Sequence, residues 1–371
     1  MSAQRPVSAQ RPVSARSVDP RALALIDRMP KAELHLHLDG SLRPATALEL
    51  ARERGLDDGI DVEGMRARLI GPAQAADQDD LLRAFDLPIR LMQDEEALER
   101  VAAELIEDVT TDGTRYVEVR WAPGLHVERG LSLRDGIAAV VRGTRNASDR
   151  TGVETRLIAC ALRSHSPEVN ADVAREATRF VDEGLTAFDL AGREAAFPDP
   201  LVHREAFAIA RDGRLGITVH AGEWGGPAQV RRALDVDPAR IAHGAPAIED
   251  AALQRELIDR GVTLDLCPTS NTQGAVVPTL ADHPLPQLLR AGVPVTLSTD
   301  DRTVSDLTLR REYARAHVVL GLTLGELWAM DRHALEVAFL HHDEPLRGQL
   351  LEAFDAWAAS EPLLAPPASP A

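Results

Sequence analysis

The feature that most constrains this chain is a repeated alternation of short β-like runs with amphipathic helical segments. The β-like runs are Ala32–Leu38, Arg115–Trp121, Glu154–Leu162, Leu185–Leu190, Ile217–His220, Arg240–His243, Thr263–Cys267 and Val295–Thr299. Between them, Asp94–Asp112, Ser132–Asp149, Asn170–Glu183, Leu201–Asp212 and Ile248–Arg260 place apolar residues at helical spacing, often with glycine just beyond the end. Strand and helix in strict turn imply a parallel sheet, and eight candidates in one domain-length region predict a closed (β/α)8 barrel of the TIM type. An open doubly wound sheet is the alternative. No glycine-rich phosphate turn follows the first strand, which argues against it. Residues 49–93 interrupt the alternation as a long helical insert after strand 1. Its apolar run Leu81–Leu87 either packs on the barrel, closes over its mouth as a lid, or does both.

The 44% apolar fraction of 371 residues is ample for one large core, and a net charge of −17 disfavours nucleic acid and anionic membranes as partners. Lys31 is the only lysine. Cys160 and Cys267 make no disulfide framework and suit a reducing compartment, the cytoplasm by default. No stretch reads as a transmembrane span or a signal peptide. The hexamer Ser-Ala-Gln-Arg-Pro-Val occurs twice from Ser2 to Val13. Residues 1–20 and 361–371 are accordingly expected to be disordered tails around a single domain at 21–360.

A barrel gathers its chemistry at the C-terminal ends of its strands. There the chain carries His35 and His37 on one strand face, His220 at the end of strand 5, His243 at the end of strand 6, and Asp300 with Asp301 after strand 8. Each alone has an ordinary reading as a turn residue, a cap or a core histidine. Together, histidines and a carboxylate converging from distant strands suit a zinc-like ion.

The segments PKAELHLHLDGSL (30–42), YVEVRWAP (116–123), FDLAGRE (188–194), TVHAGEWGGP (218–227), RIAHG (240–244), CPTSN (267–271) and LSTDD (297–301) resemble, in order, the adenosine deaminase family of zinc amidohydrolases. That resemblance implies one Zn2+ held by His35, His37, His220 and Asp300, and catalysis by Glu223, His243 and Asp300. Glu223 would protonate purine N1, while His243 and Asp300 would orient a water and take its proton. Asp301 would face N7, the Gly192 backbone N3, and His37 and Asp39 the ribose. The plainer alternative for Asp39 is a cap on the next helix. The implied reaction is hydrolysis of adenosine or 2'-deoxyadenosine to inosine or deoxyinosine and ammonia, in purine salvage.

Alternatives are a deaminase of the same fold acting on adenine or a modified adenosine such as aminodeoxyfutalosine, and a non-catalytic zinc-containing binding protein. A dinuclear hydrolase is disfavoured because Leu185–Leu190 contains no lysine. Cys160 and Cys267 form no Cys-x-x-Cys, which excludes the paired-cysteine deaminases, and Cys267 reads as a packed thiol. His126, His165, His203, His283, His317, His333, His341 and His342 read as structural or surface residues. Arg302, Ala122 and Leu81 depart from the family pattern, where proline, serine and an aromatic are common, and so bear on substrate range.

Overall fold

The computed structural model describes residues 19–364; most of both expected tails lies outside them. Eight strands run in sequence order and pair in parallel: β1 (Lys31–His37), β2 (Thr114–Trp121), β3 (Glu154–Leu162), β4 (Leu185–Ala191), β5 (Gly216–Ala221), β6 (Arg240–His243), β7 (Thr263–Leu266) and β8 (Val295–Leu297). The ring closes just past β8. The His37 amide donates to the Asp300 carbonyl at 2.7 Å, and the Asp300 amide donates to the His35 carbonyl at 3.0 Å. The (β/α)8 expectation therefore holds.

Period-two alternation explains how each strand serves two layers. On β2, Val117, Val119 and Trp121 point out into the apolar layer beneath the helices, whereas Glu118 and Arg120 point into the barrel. The lower interior is consequently ionic rather than aliphatic. Arg240 pairs with Glu118 and with Asp265 at 3.0 Å, and Arg120 pairs with Asp189 at 3.0 Å. All five side chains are buried, so every charge needs its partner.

Helix boundaries follow local capping chemistry. Asp94 and Ser132 cap the helices Glu95–Thr110 and Leu133–Thr151. The segment expected as one helix over 170–183 begins earlier, at Pro167, capped by Ser166. It tightens to 3-10 geometry from Thr178 and stops at Gly184, whose φ is +100°. The segment expected from Ile248 becomes α-helical only at Ala251, because Asp250 caps it there. Likewise 201–212 opens as a 3-10 turn and is α-helical from Arg204.

The insert after β1 folds as the helices Pro44–Glu53, Val62–Leu69, Gln78–Leu82 and Asp86–Leu91. Arg43, not Asp39, is the N-cap of the first, so the capping alternative for Asp39 fails.

Candidate active site

The C-terminal ends of the strands open into a cavity of about 210 Å3. His37, Asp39, Gly192, His220, Glu223, His243, Asp300 and Asp301 all line it, and His35 is fully buried beside Asp300. Every site residue expected from sequence thus meets at one place.

Four donors crowd a single point. His35 Nε2 stands 3.3 Å from His37 Nε2, which stands 3.1 Å from His220 Nε2. Asp300 Oδ1 lies 2.9 Å from His35 Nε2 and 3.4 Å from His37 Nε2. Donors around a tetrahedral ion with bonds near 2.0–2.1 Å stand about 3.3 Å apart, so the group has the size of a metal site. His243 also approaches this cluster, but its Nε2 faces Asp300 Oδ2 at 3.9 Å and Glu223 Oε1 at 3.3 Å. It therefore sits on the cavity side of the carboxylate.

Burial keeps the imidazoles of His35 and His220 neutral by lowering their pKa values. Neutral rings have the lone pair a metal needs. Burial opposes the charge on Asp300, yet facing His35 and His243 hold its carboxyl well below the usual range. The Ser270 hydroxyl donates to Asp300 Oδ2 at 2.6 Å, leaving Oδ1 toward the histidines. Behind His220, Asp189 Oδ2 lies 2.8 Å from Nδ1 and orients the ring.

A hydrogen-bond chain fixes the tautomer of His243. The Leu285 amide can only donate, and it donates to His283 Nδ1 at 3.2 Å. His283 Nε2 must then donate to Asn271 Oδ1 at 3.0 Å, and Asn271 Nδ2 to His243 Nδ1 at 3.1 Å. His243 is left with its proton on Nε2, aimed at the cavity. Burial drives its pKa to about 3, so the ring is neutral. His283, expected as structural or surface, is buried and belongs to this chain.

Two carboxyls are pushed the other way. Burial, and then the charge of Asp300, raises Glu223 well above the carboxylate range, and the same two causes raise Asp301. Both shifts favour the protonated form, which can donate. Gly40 admits Asp301: a Cβ at that position would lie 1.7 Å from Asp301 Oδ1.

The remaining wall is apolar. Leu81, Leu82, Phe85 and Ile89 of the insert face Ala122, Leu125, Cys160 and Leu162 of the barrel. The insert is tied down beside Gly192, since Gln78 Nε2 donates to the Gly192 carbonyl at 3.3 Å and Arg193 pairs with Asp79 at 3.1 Å. The insert accordingly both packs on the barrel and covers its mouth. Of the three departures, Ala122 and Leu81 line the cavity, whereas Arg302 turns away and pairs with Asp112 at 2.5 Å. Sequence reasoning missed Asp189, Ser270 and Asn271 as site residues. All three lie within segments already singled out, but their partners come from other strands.

Comparison with known proteins agrees with this geometry. Residues 30–357 match the family model described as adenosine deaminase. The adenosine deaminase of Enterococcus faecalis is 34% identical over 86% of this chain and 94% of its own length. That of Clostridium perfringens is 36% identical over 84% and 94%. Among solved structures, an adenine deaminase from Arthrobacter aurescens superposes with a TM-score of 0.79 at 26% identity, covering 90% of this chain and 100% of that one. An Arabidopsis N6-mAMP deaminase does so at 0.80 and 29%, covering 90% and 99%. With its eight-stranded barrel and the His and Asp groups gathered at its mouth, the chain belongs to the adenosine deaminase family.

Proposed function

We propose that this enzyme hydrolyses the 6-amino group of adenosine and 2'-deoxyadenosine, releasing inosine or deoxyinosine and ammonia. One observation carries the reading: the partly buried Glu223, its carboxyl raised well above the usual range by desolvation, stands 3.3 Å from His243, beside the cluster of His35, His37, His220 and Asp300. Those four residues would hold one ion of the zinc class. When bound, such an ion makes water a competent nucleophile at neutral pH.

The chain's own groups do the rest. Asp300 takes the proton of the attacking water, while the His243 Nε2 proton is donated to the water oxygen and orients it. Glu223 gives its proton to N1, which makes C6 electrophilic. Once the water oxygen has bonded to C6, the proton taken up by Asp300 passes to the amino nitrogen, which departs as ammonia. The C6 hydroxyl proton returns to Glu223 as the carbonyl forms. Asp301, kept protonated, donates to N7, a pure acceptor. The Gly192 amide faces N3, and His37 with Asp39 receives the ribose. Asp39 Oδ1 is buried, 3.6 Å from His37 Nδ1, with no hydrogen-bond partner within the protein, as a group awaiting a hydroxyl would be.

No helix among the described residues is long and apolar enough to cross a membrane. The buried free thiols of Cys160 and Cys267 favour the cytoplasm.

The test compares kcat/KM for adenosine, 2'-deoxyadenosine and adenine by the change in purine absorbance, with and without a zinc chelator. Adenosine should exceed adenine by at least about a hundredfold, with activity lost on chelation. Preference for the free base would overturn the nucleoside assignment.

A further inference from the structure

Glu223 rides on a short connection between the end of β5 at Ala221 and the helix Gly226–Ala233. The amides of Gly222, Trp224 and Gly225 on either side of it have no strand or helix partner there. A single carboxylate takes all three. Glu194, from the loop after β4, accepts from Gly222 N at 2.7 Å through Oε1, and from Trp224 N at 2.7 Å and Gly225 N at 3.2 Å through Oε2. It is only 2% exposed.

The connection cannot brace itself with bulk. Gly222 has φ +82°, and a Cβ there would lie 2.7 Å from Val230 Cγ2; one at Gly225 would lie 2.0 Å from Gln229 Cγ. Gly225 caps the following helix without any side chain, so Glu194 supplies from another loop the negative charge its N-terminus favours. Arg163 ties the two loops together by donating to the carbonyls of Phe197 at 3.0 Å and His220 at 2.9 Å.

We propose that Glu194 is a positioning residue for the reaction: it grips the backbone on both sides of Glu223 and so sets where that carboxyl meets the purine. The claim rests on Glu223 being the proton donor.

The experiment is a double-mutant cycle of Glu194→Gln and Glu223→Gln, with kcat, KM, metal content and amide exchange measured for each protein. Glu194→Gln exchanges an acceptor oxygen for a donor against amides that can only donate. Its kcat should fall by about a hundredfold, as expected of a misplaced catalytic group. KM should stay within about threefold, bound metal should be unchanged, and the 222–225 amides should exchange faster. In the Glu223→Gln background the same change should cost less than about threefold, because the group it positions is gone. Losses that multiply in the double variant would overturn the positioning role. So would normal turnover by Glu194→Gln beside an inactive Glu223→Gln. A fully active Glu223→Gln would instead remove the proton-donor reading, and the positioning claim with it. If Glu194→Gln does not fold, Glu194→Asp, which keeps the charge but withdraws it, takes its place in the same cycle.

Discussion

Asp300 and His35 are joined twice. The Asp300 amide donates to the His35 carbonyl at 3.0 Å, and its Oδ1 lies 2.9 Å from His35 Nε2. The bonds that shut the barrel between its last and first strands therefore also set the spacing of the candidate metal donors. Asp300 achieves this with φ +69°, a left-handed conformation that Asp and Asn tolerate better than other side chains.

Two substitutions at this position should separate charge from backbone. Asp300→Asn keeps tolerance of the left-handed backbone and should melt within a few degrees of wild type, while losing bound metal and activity. Asp300→Ala should lose the same functions and a further roughly 1 kcal/mol of stability. Metal analysis beside thermal denaturation checks this; equal melting temperatures for the two variants would contradict the conformational argument.

Asn271 sets the His243 tautomer by donating to Nδ1. Asp at that position can only accept when ionised, and would draw the imidazole proton to Nδ1, away from the cavity. Asn271→Asp should reduce kcat by roughly 10²–10⁴-fold, the scale of a wrong-tautomer histidine elsewhere. Imidazole 15N shifts should report the switch, and an unchanged Nε2–H signal would contradict it.

His283 gives a pH dependence with a definite sign. Burial holds its folded pKa at about 3, against a usual value of 6.5. Between those values the unfolded chain carries a proton that the fold refuses. Its contribution is therefore complete above about pH 6.5 and is lost as pH falls, amounting to about 2 kcal/mol by pH 5. Urea denaturation of wild type and His283→Gln across pH 5–7 should show a shallower loss in the variant; parallel curves would count against the assignment.

The ionic floor of the barrel predicts a large cost without loss of the site's donor set. Arg240→Ala leaves Glu118 buried without its cation, with Asp265 keeping only Arg120 at 3.8 Å, and should destabilise by about 3–5 kcal/mol. A change below 1 kcal/mol in urea would show that the network relaxes.

Much of this architecture was legible because period-two strands and strand-end residues leave local marks. His35 and His37 share a face simply by being two apart on β1, and Glu223, His243, Asp300 and Asp301 sit where strands end. What stayed hidden was pairwise and long-range. Asp189 looks like any polar residue on β4 until the ring brings His220 to within 2.8 Å of it. Glu194 acts on amides 28 to 31 positions away, and His283 gains its role only through Asn271. Two helices start away from the edge of the apolar pattern, at Pro167 and Ala251, because Ser166 and Asp250 cap them there.

The central claim is that a protonated Glu223 delivers the proton that opens C6 to water. Its most direct measurement is adenosine turnover by Glu223→Gln alongside bound metal per chain. Full metal content with kcat reduced by about 10²–10⁴-fold is the predicted result. Near-normal turnover with the metal in place would contradict the account.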